Sequence, residues 1–142
     1  MTFDNLLVKL DDGAFMPVRA HVDDAGIDLL TPVDFSVPAN GAITIDTGIH
    51  VEIPRGYYGK LESKSGLHIK HDIVCLGGVI DCGYTGSIAV KLHNFSRRHY
   101  RFKRGEKIVQ LIIIPCETPI IVPVDSLGLS ARGDNGFGSS GK

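Results

Sequence analysis

The segment Ile43-Thr-Ile-Asp-Thr-Gly-Ile-His-Val-Glu-Ile53 carries apolar side chains at alternate positions on either side of Gly48. A period of two is typical of a half-buried β-strand, because successive side chains leave opposite faces of the pleated backbone. The same alternation recurs over residues 87–95 and 99–103. These segments make an all-β fold the first hypothesis.

Two longer apolar runs extend this prediction. Residues 108–114 and 120–124 are almost continuously apolar, which is typical of strands buried on both faces. Turn-forming residues separate the runs, and only residues 63–71 predict a short helix. Many short strands with regularly spaced turns favour a jelly-roll-like barrel or sandwich with one short helix at most.

Composition limits the class of protein and its partners. A chain of 142 residues is enough for one domain with its own core. Its 43% apolar and 22% charged residues are typical of a soluble globular protein. The net charge of −1 gives no long-range attraction to anions, so we expect no nucleic acid or membrane partner. Without a signal peptide or membrane-spanning run, we expect a cytoplasmic location, or a nuclear one in a eukaryote or virus.

The C-terminal end differs from the rest of the chain. Residues 1–129 predict the β domain, and residues 130–142 predict a flexible Gly-rich arm. By composition the arm is typical of a disordered tail, because it cannot bury an apolar face. The alternative is a clamp, in which Arg132 and backbone N–H groups close on a phosphate and Phe137 covers a flat ring.

Asp81 lies in Gly77-Gly-Val-Ile-Asp-Cys-Gly-Tyr-Thr-Gly86, an apolar approach followed by a turn flanked by glycines. An Asp at the lip of a hairpin between two core strands is usually a turn former, and local features alone favour that interpretation. The functional alternative is a general base held in a cleft, with Tyr84 facing a ligand from the same turn.

Two further segments carry modest signals. Glu62-Ser-Lys-Ser-Gly-Leu67 places a cation and two hydroxyls at a predicted helix start, which suits either an anion or an ordinary N-cap. Asp23-Asp-Ala-Gly-Ile-Asp28 groups three carboxylates that could face a divalent ion or its water shell, although a solvated acidic turn is the simpler interpretation.

Five segments follow one another along nearly the whole chain. They are Ala25-Gly-Ile-Asp-Leu29, Ser63-Lys-Ser-Gly-Leu67, Gly78-Val-Ile-Asp-Cys-Gly-Tyr-Thr-Gly86, Gly105-Glu-Lys-Ile-Val-Gln-Leu-Ile112 and Arg132-Gly-Asp-Asn-Gly-Phe-Gly-Ser-Ser-Gly141. In this order they resemble the five motifs of the homotrimeric dUTPases, of which the third and fifth are the most specific. The resemblance favours the functional alternatives for Asp81, for Lys64 and Ser65, and for the arm.

The resemblance implies a jelly-roll-like subunit in a threefold homotrimer, with each active site assembled from motifs of all three chains. It implies hydrolysis of dUTP to dUMP and pyrophosphate, with Asp81 activating the water that attacks the α-phosphorus. Mg²⁺ is the implied cofactor, chelated chiefly by the three phosphates. Such an enzyme limits uracil incorporation into DNA and supplies dUMP for dTMP synthesis.

The resemblance also implies which residues bind the substrate. Tyr84 would pack against the deoxyribose, Asp28 would lie near the water shell of the metal without binding it directly, and the arm would close as a lid. The other implied contacts are Gly78, Val79 and Ile80 at uracil, Lys64, Ser65, Gly66 and Gln110 at the phosphates, and Arg132, Phe137, Gly138, Ser139 and Ser140 in the lid.

One departure and two rival functions accompany this assignment. Lys64 stands where the family usually has arginine, so phosphate contacts are expected to be fewer or differently arranged. A dCTP deaminase shares the trimeric fold, and a non-catalytic nucleotide-sensing trimer could keep the same pocket. The lid sequence and the pair Asp81 and Tyr84 favour the dUTPase over the deaminase.

Overall fold

The computed structural model describes residues 4–141. Residues 1–3 of the predicted β domain and residue 142 of the predicted arm lie outside the described residues. Eleven strands and one helix occur within that range, which confirms the all-β prediction. The elements are β1 (Leu7–Leu10), β2 (Ile27–Leu30), β3 (Phe35–Val37), β4 (Gly41–Asp46), β5 (Ile49–Glu52), β6 (Tyr57–Glu62), α1 (Ser65–His71), β7 (Ile73–Cys75), β8 (Val79–Ile80), β9 (Ala89–Asn94), β10 (Tyr100–Phe102) and β11 (Lys107–Pro115).

The strands form four antiparallel sheets. The largest has the order β2-β11-β6-β8, and the second has the order β4-β9-β7. The remaining strands pair two by two, β1 with β5 and β3 with β10. Most neighbouring strands come from distant parts of the chain, as expected of a jelly-roll-like fold.

Alternating side chains of these strands build the core. In β9, Val90 and Leu92 are buried on one face, and in β10 Phe102 is buried while Arg101 is exposed. The ring of Phe102 stacks on Phe35, with 4.8 Å between centroids. Each such fully buried side chain contributes about 1.5–3 kcal/mol, so the inward face holds short strands in a single arrangement.

Most of the strand predictions are confirmed. Residues 43–53 form β4 and β5 with a corner at residues 47–48, while residues 87–95 contain β9 and residues 99–103 contain β10. Residues 108–114 lie inside β11, but the last three of them are only half-buried.

The prediction of a buried strand over residues 120–124 is wrong for the described chain. No strand is assigned there, and residues 117–141 are exposed throughout. Pro119 and Pro123 lack the N–H group that a central strand donates. Ile121 is 94% exposed, so this apolar run has no core to cover within its own chain.

The helix prediction is confirmed by α1, whose seven residues lie at the surface. The helix ends where Asp72 takes a left-handed conformation, with a φ of 55°. No helix among residues 4–141 is long and apolar enough to cross a membrane.

Candidate active site

Three of the motif segments meet at one end of the largest sheet. The register of this sheet places Gln110 opposite Asp28 on one side and opposite Glu62 on the other. Ser63 and Lys64 follow Glu62 directly, so residues of the first, second and fourth segments share this edge.

Asp28 is buried between two lysines. Its Oδ1 atom lies 2.5 Å from Nζ of Lys64, and its Oδ2 atom lies 2.8 Å from Nζ of Lys107. Burial raises the pKa of Asp28, but the hydrogen bonds from Lys107 and Lys64 outweigh it, so the pKa lies below its ordinary value. We call these three residues the lysine cluster. Two ammonium groups and one carboxylate leave the cluster with a net positive charge.

Gln110 holds the segment that leads into α1. Its Nε2 atom donates to the carbonyl oxygen of Ser63 at 2.9 Å, and Ser63 Oγ accepts the N–H of Cys75 at 2.9 Å. Ser65 and Gly66 then begin α1 with both residues exposed. The predicted phosphate contacts are therefore presented beside the lysine cluster on a fixed backbone.

Asp81 begins a turn that passes from one sheet to another. The N–H of Tyr84 donates to the carbonyl oxygen of Asp81 at 3.2 Å. Before the turn β8 pairs with β6, and after it β9 pairs with β4 and β7. The prediction of a hairpin between two core strands is therefore wrong, because β8, only two residues long, pairs with β6 in the largest sheet, whereas β9 belongs to the β4-β9-β7 sheet. We call residues 81–87 the Asp81 turn.

A shallow depression of about 360 Å³ opens beside the Asp81 turn. β8 is the edge strand of its sheet, so backbone groups on its outer side face away from β6. The structure thus brings the predicted base, the predicted sugar contact and the predicted uracil contacts together. The residues that line the depression include Gly78, Val79, Ile80, Asp81 and Tyr84.

Tyr84 has a defined position in this depression. Its hydroxyl donates to the carbonyl oxygen of Ser87 at 2.9 Å, and its ring lies against Gly86, where a Cβ atom would stand 2.5 Å from the hydroxyl oxygen. The residue is 47% exposed. Part of the ring is therefore held by the turn, and part of it is available to a ligand.

The lysine cluster and the Asp81 turn lie toward opposite ends of β6. Ile80, next to Asp81, pairs with Gly59, whereas Gln110 pairs with Glu62. Three residues along a strand correspond to about 10 Å, and the chain leaves the sheet in opposite directions from these two points. The register therefore separates Asp81 from the phosphate-binding candidates of its own chain along β6.

The arm does not reach either group of residues. The hydrogen bonds described for residues 130–141 join residues within the arm, such as Arg132 Nε to the carbonyl oxygen of Asn135 at 2.8 Å. Phe137 is fully exposed, as are Gly138, Ser139 and Ser140. Their place in a closed site stays a prediction.

The described side chains form no metal cage of their own. Among residues 4–141, no group of three or more His, Cys, Asp or Glu residues could hold a metal ion. Both carboxylate oxygens of Asp28 accept hydrogen bonds from ammonium groups. Direct coordination by Asp28 would break an ion pair, and its role near the water shell of a metal stays a prediction.

Two residues at these sites were not expected from the sequence. Lys107 is the second cation on Asp28, and its only signal is its position three residues before Gln110 on the same strand. His50 on β5 contacts the carbonyl oxygen of Thr85 in the Asp81 turn. Because 35 residues separate them, no local pattern indicates this contact.

The chain is similar to one known family and to known proteins over nearly its whole length. The family model described as dUTPase matches residues 12–141. The deoxyuridine 5'-triphosphate nucleotidohydrolase of Paramecium bursaria Chlorella virus 1 is 41% identical over 136 residues, covering 96% of this chain and 96% of that protein. The protein of the same name from Arabidopsis thaliana is 43% identical over 133 residues, covering 94% of this chain and 80% of that protein.

Solved structures share the fold over nearly the whole chain. The dUTPase of Staphylococcus bacteriophage 80alpha with dUpNHpp has a TM-score of 0.91 and 32% identity, covering 99% of this chain and 100% of that one. It is described among phage dUTPases that control transfer of virulence genes by a proto-oncogenic G protein-like mechanism. A mutant dUTPase of phage phi11 of S. aureus, described as coordinating a structural Mg(II) ion, has a TM-score of 0.81 and 29% identity, covering 87% of this chain and 98% of that one.

Proposed function

This chain belongs to the dUTPase family and hydrolyses dUTP to dUMP, and we propose that it does so as a Mg²⁺-dependent homotrimer with Asp81 as the general base. The observation that carries the proposal is the depression beside the Asp81 turn. There a carboxylate, a half-exposed aromatic ring and the edge of a β-strand face one space.

The proposed reaction is an attack of water on the α-phosphorus. The Asp81 carboxylate accepts a proton from the water as its oxygen bonds to phosphorus. The bond from the α-phosphorus to the bridging oxygen of the β-phosphate breaks, and pyrophosphate leaves with that oxygen. Asp81 is exposed at the start of its turn, so substrate and water can reach its carboxylate.

Uracil is proposed to bind along β8. The outer edge of an edge strand presents N–H and C=O groups, which match the alternating acceptors and donor of the uracil edge. Cytosine would place its amino group against a donor, leaving both groups badly paired. Tyr84 stands over the neighbouring space, where its fixed ring would cover the deoxyribose and exclude a 2′-hydroxyl.

The triphosphate is proposed to bind at the start of α1. Lys64 and the hydroxyl of Ser65 supply a cation and a donor, Gly66 leaves the backbone open to an anion, and Gln110 fixes the preceding residue. Because the described residues form no metal cage, the fit is to an ion whose ligands come mainly from phosphate and water, as Mg²⁺ prefers. When bound, Mg²⁺ would neutralise charge on the triphosphate and on the leaving pyrophosphate.

A homotrimer is supported by the separation of these parts. The lysine cluster and the Asp81 turn point away from each other along β6, and the apolar residues 120–124 are exposed. Threefold assembly would place the Asp81 turn of one subunit against the phosphate-binding residues of its neighbour, and it would give three equivalent sites. The exposed apolar run is the kind of surface that a second copy of the chain covers.

The arm is proposed to close each site as a lid. Phe137 would cover the uracil ring, while Arg132, Ser139 and Ser140 would bind the phosphates and Gly138 would let the backbone approach them. The arm makes its described hydrogen bonds within itself, so ordering it would cost conformational entropy that the nucleotide must offset.

Pyrophosphate release tests this proposal. The assay uses dUTP, dCTP, dTTP and UTP with Mg²⁺, and it compares the wild type with Asp81→Asn and with the exposed control Asp12→Asn. We expect wild type and control to prefer dUTP, and Asp81→Asn to lose about 10²–10⁴-fold in kcat while still binding dUTP. An active Asp81→Asn would overturn the base assignment. Ammonia release from dCTP would instead identify a deaminase.

A second role in nucleotide-dependent regulation is supported by the description of the phage 80alpha relative as part of a G protein-like mechanism. For this chain the role would require a protein partner that binds only one nucleotide state. Asp81→Asn with and without dUTP supplies the two states for a binding experiment, and equal binding of every partner in both states would contradict the role.

A further inference from the structure

His50 lies between the Asp81 turn and the end of β1. Its Nδ1 atom is 2.7 Å from the carbonyl oxygen of Thr85, and its Nε2 atom is 2.9 Å from Oδ1 of Asp11. The side chain is only 18% exposed. One imidazole ring therefore joins two segments that are 39 and 35 residues away from it in the sequence.

Both partners of this ring are hydrogen-bond acceptors. A neutral imidazole carries one N–H group, so it can donate to Thr85 or to Asp11 but not to both; the imidazolium donates to both. The carbonyl of Thr85 and then the carboxylate of Asp11 raise the pKa of His50 above its ordinary value, while burial and the nearby Lys9 lower it. The carboxylate of Asp46 on β4 also interacts with the charge of the ring, and Glu52 on β5 lines the same cavity as His50.

The exit of the Asp81 turn is fastened by contacts of a different kind. Thr47 Oγ1 donates to the carbonyl oxygen of Ile88 at 2.7 Å, and the N–H of Ile88 donates to Ile49 at 2.9 Å. The hydroxyl of Ser87 donates to Asp46, which holds the pKa of that carboxyl below its ordinary value. None of these contacts changes charge near neutral pH. Among the contacts of this turn described within residues 4–141, the one from His50 is made by the side-chain type whose ordinary pKa lies closest to neutral pH.

We propose that His50 is a positioning residue for catalysis, which in its imidazolium form holds Thr85 and thereby sets the ring of the adjacent Tyr84 against the deoxyribose of the substrate. The inference rests on the proposed role of Tyr84. When His50 loses its proton, the one remaining N–H stays toward the carboxylate of Asp11, a stronger acceptor than a carbonyl, so Nδ1 faces the Thr85 carbonyl as a second acceptor and Thr85 is released. Release of Thr85 leaves Tyr84 with its own hydrogen bonds to Ser87 and Asp81 but removes the tie at the next residue, so the wall that excludes the 2′-hydroxyl loosens.

Two consequences follow for the enzyme. As pH rises through the titration of His50, the KM for dUTP rises, and the ratio of kcat/KM for dUTP to that for UTP falls. His50→Gln has a single donor nitrogen, whereas the imidazolium has two on different sides of the ring, so it cannot hold Thr85 and Asp11 together and shows the weaker selectivity at every pH. We expect a change of about threefold to tenfold, the effect of losing one ordinary hydrogen bond.

Asp11→Asn supplies the decisive variant, because it leaves His50 in place and removes the carboxylate that favours its charged form. We expect the pKa of His50, followed by proton NMR of the imidazole, to fall. The midpoint in the pH profile of the dUTP-to-UTP ratio should fall by the same amount. His99→Gln, an exposed histidine outside the site, is the matched control and should leave both midpoints unchanged.

A purely structural role would lower thermal stability in these variants without moving the midpoint of selectivity. A midpoint that stays fixed while the pKa of His50 moves would overturn the proposal, as would His50→Gln with wild-type selectivity. The ¹⁵N shift of Gly86, whose amide adjoins the Thr85 carbonyl, should titrate with His50 even in Asp81→Asn. That readout needs no turnover, so a failure of the His50 contact is distinguishable from a failure of the proposed reaction.

Discussion

The side-chain amide of Gln110 donates to the carbonyl oxygen of Ser63 at 2.9 Å, so a residue in the middle of β11 fixes the backbone just before Lys64. The same side chain lies directly over Gly26, where a Cβ atom would stand 2.0 Å from Oε1 of Gln110. Segments that are far apart in the sequence therefore depend on one amide. The Gln110 side chain occupies the space that a Cβ atom at position 26 would need, so glycine at this position, two residues before the buried Asp28, leaves room for it.

Gly26→Ala should displace the Gln110 side chain. We expect a loss of stability of about 1–3 kcal/mol, the usual cost of overpacking, together with a higher KM for dUTP because Ser63 loses its donor. Urea unfolding and steady-state kinetics measure the two effects. Gly128→Ala is the control, since nothing lies within 4 Å of its added Cβ. Wild-type stability and KM in Gly26→Ala would contradict the tight contact.

Asp28→Asn should destabilise the protein at neutral pH by about 1–3 kcal/mol. This is less than the cost of breaking a fully buried ion pair, because the side chains of Lys64 and Lys107 are 28% and 42% exposed and can turn to water. The pKa of Asp28 is lowered in the folded state, so its contribution is present above the unfolded pKa and is lost as pH falls through the folded value.

Urea unfolding of Asp28→Asn and wild type at pH 7 and at successively lower pH checks the sign. The difference in free energy of unfolding should shrink below about pH 4, the ordinary range of an Asp carboxyl. Asp12→Asn serves as an exposed control and should show little difference at any pH. A difference between wild type and Asp28→Asn that is constant with pH would exclude the ionised carboxylate as its source.

The sequence predicts those parts of the fold that depend on residues close together in the chain, and it fails where the structure depends on residues far apart. Alternation located β4, β5, β9 and β10 because burial on one face is a local pattern. The prediction from the continuous apolar run at residues 120–124 failed, since such a run does not say what covers it. The hairpin predicted at Asp81 failed for a related reason, because strand pairing is decided across the sheet by the partner β6.

The candidate site likewise contains residues that the sequence predicts and residues that it does not. Asp81, Tyr84, Lys64 and Gln110 were found through the order of the motifs, and the depression brings the first two together. Lys107 and His50 act through partners that are distant in sequence, so only the folded chain shows them.

Mixed trimers test whether the site is shared between subunits. Asp81→Asn and Lys64→Ala are each expected to be nearly inactive, and refolding them together should restore activity. With random mixing, a site that takes Asp81 from one subunit and Lys64 from another is intact about a quarter of the time. Lys64→Ala mixed with Gln110→Ala is the matched control, because both residues lie in the same cluster of one chain, and that pair should restore nothing. Failure of the first pair to recover activity would place the whole site in one chain.

Trypsin should report closure of the arm. Arg132 is exposed, so the bond after it should be cut readily without nucleotide. Adding dUTP and Mg²⁺ to Asp81→Asn should slow this cut, because the lid becomes ordered over the bound nucleotide. Phe137→Ala in the same background should show weaker protection and a higher dissociation constant for dUTP. Equal cleavage with and without nucleotide would contradict the lid.

The exposed apolar run after β11 should be the surface that holds the trimer together. Ile121 is 94% exposed in the single chain, and Ile120 beside it is 89% exposed, so neither contributes to the fold of its own subunit. Ile121→Asp would bury an unpaired charge in an interface, which opposes association but leaves the subunit core intact. Sedimentation should therefore show loss of the trimer with unchanged far-ultraviolet circular dichroism, and dUTP hydrolysis should fall in parallel because the shared sites come apart.

Val22→Asp is the control, since Val22 is 89% exposed in the loop before β2 and should leave the assembly unchanged. A trimeric Ile121→Asp would show that the run covers something other than a second copy of the chain, and activity retained in a monomer would contradict the shared site itself.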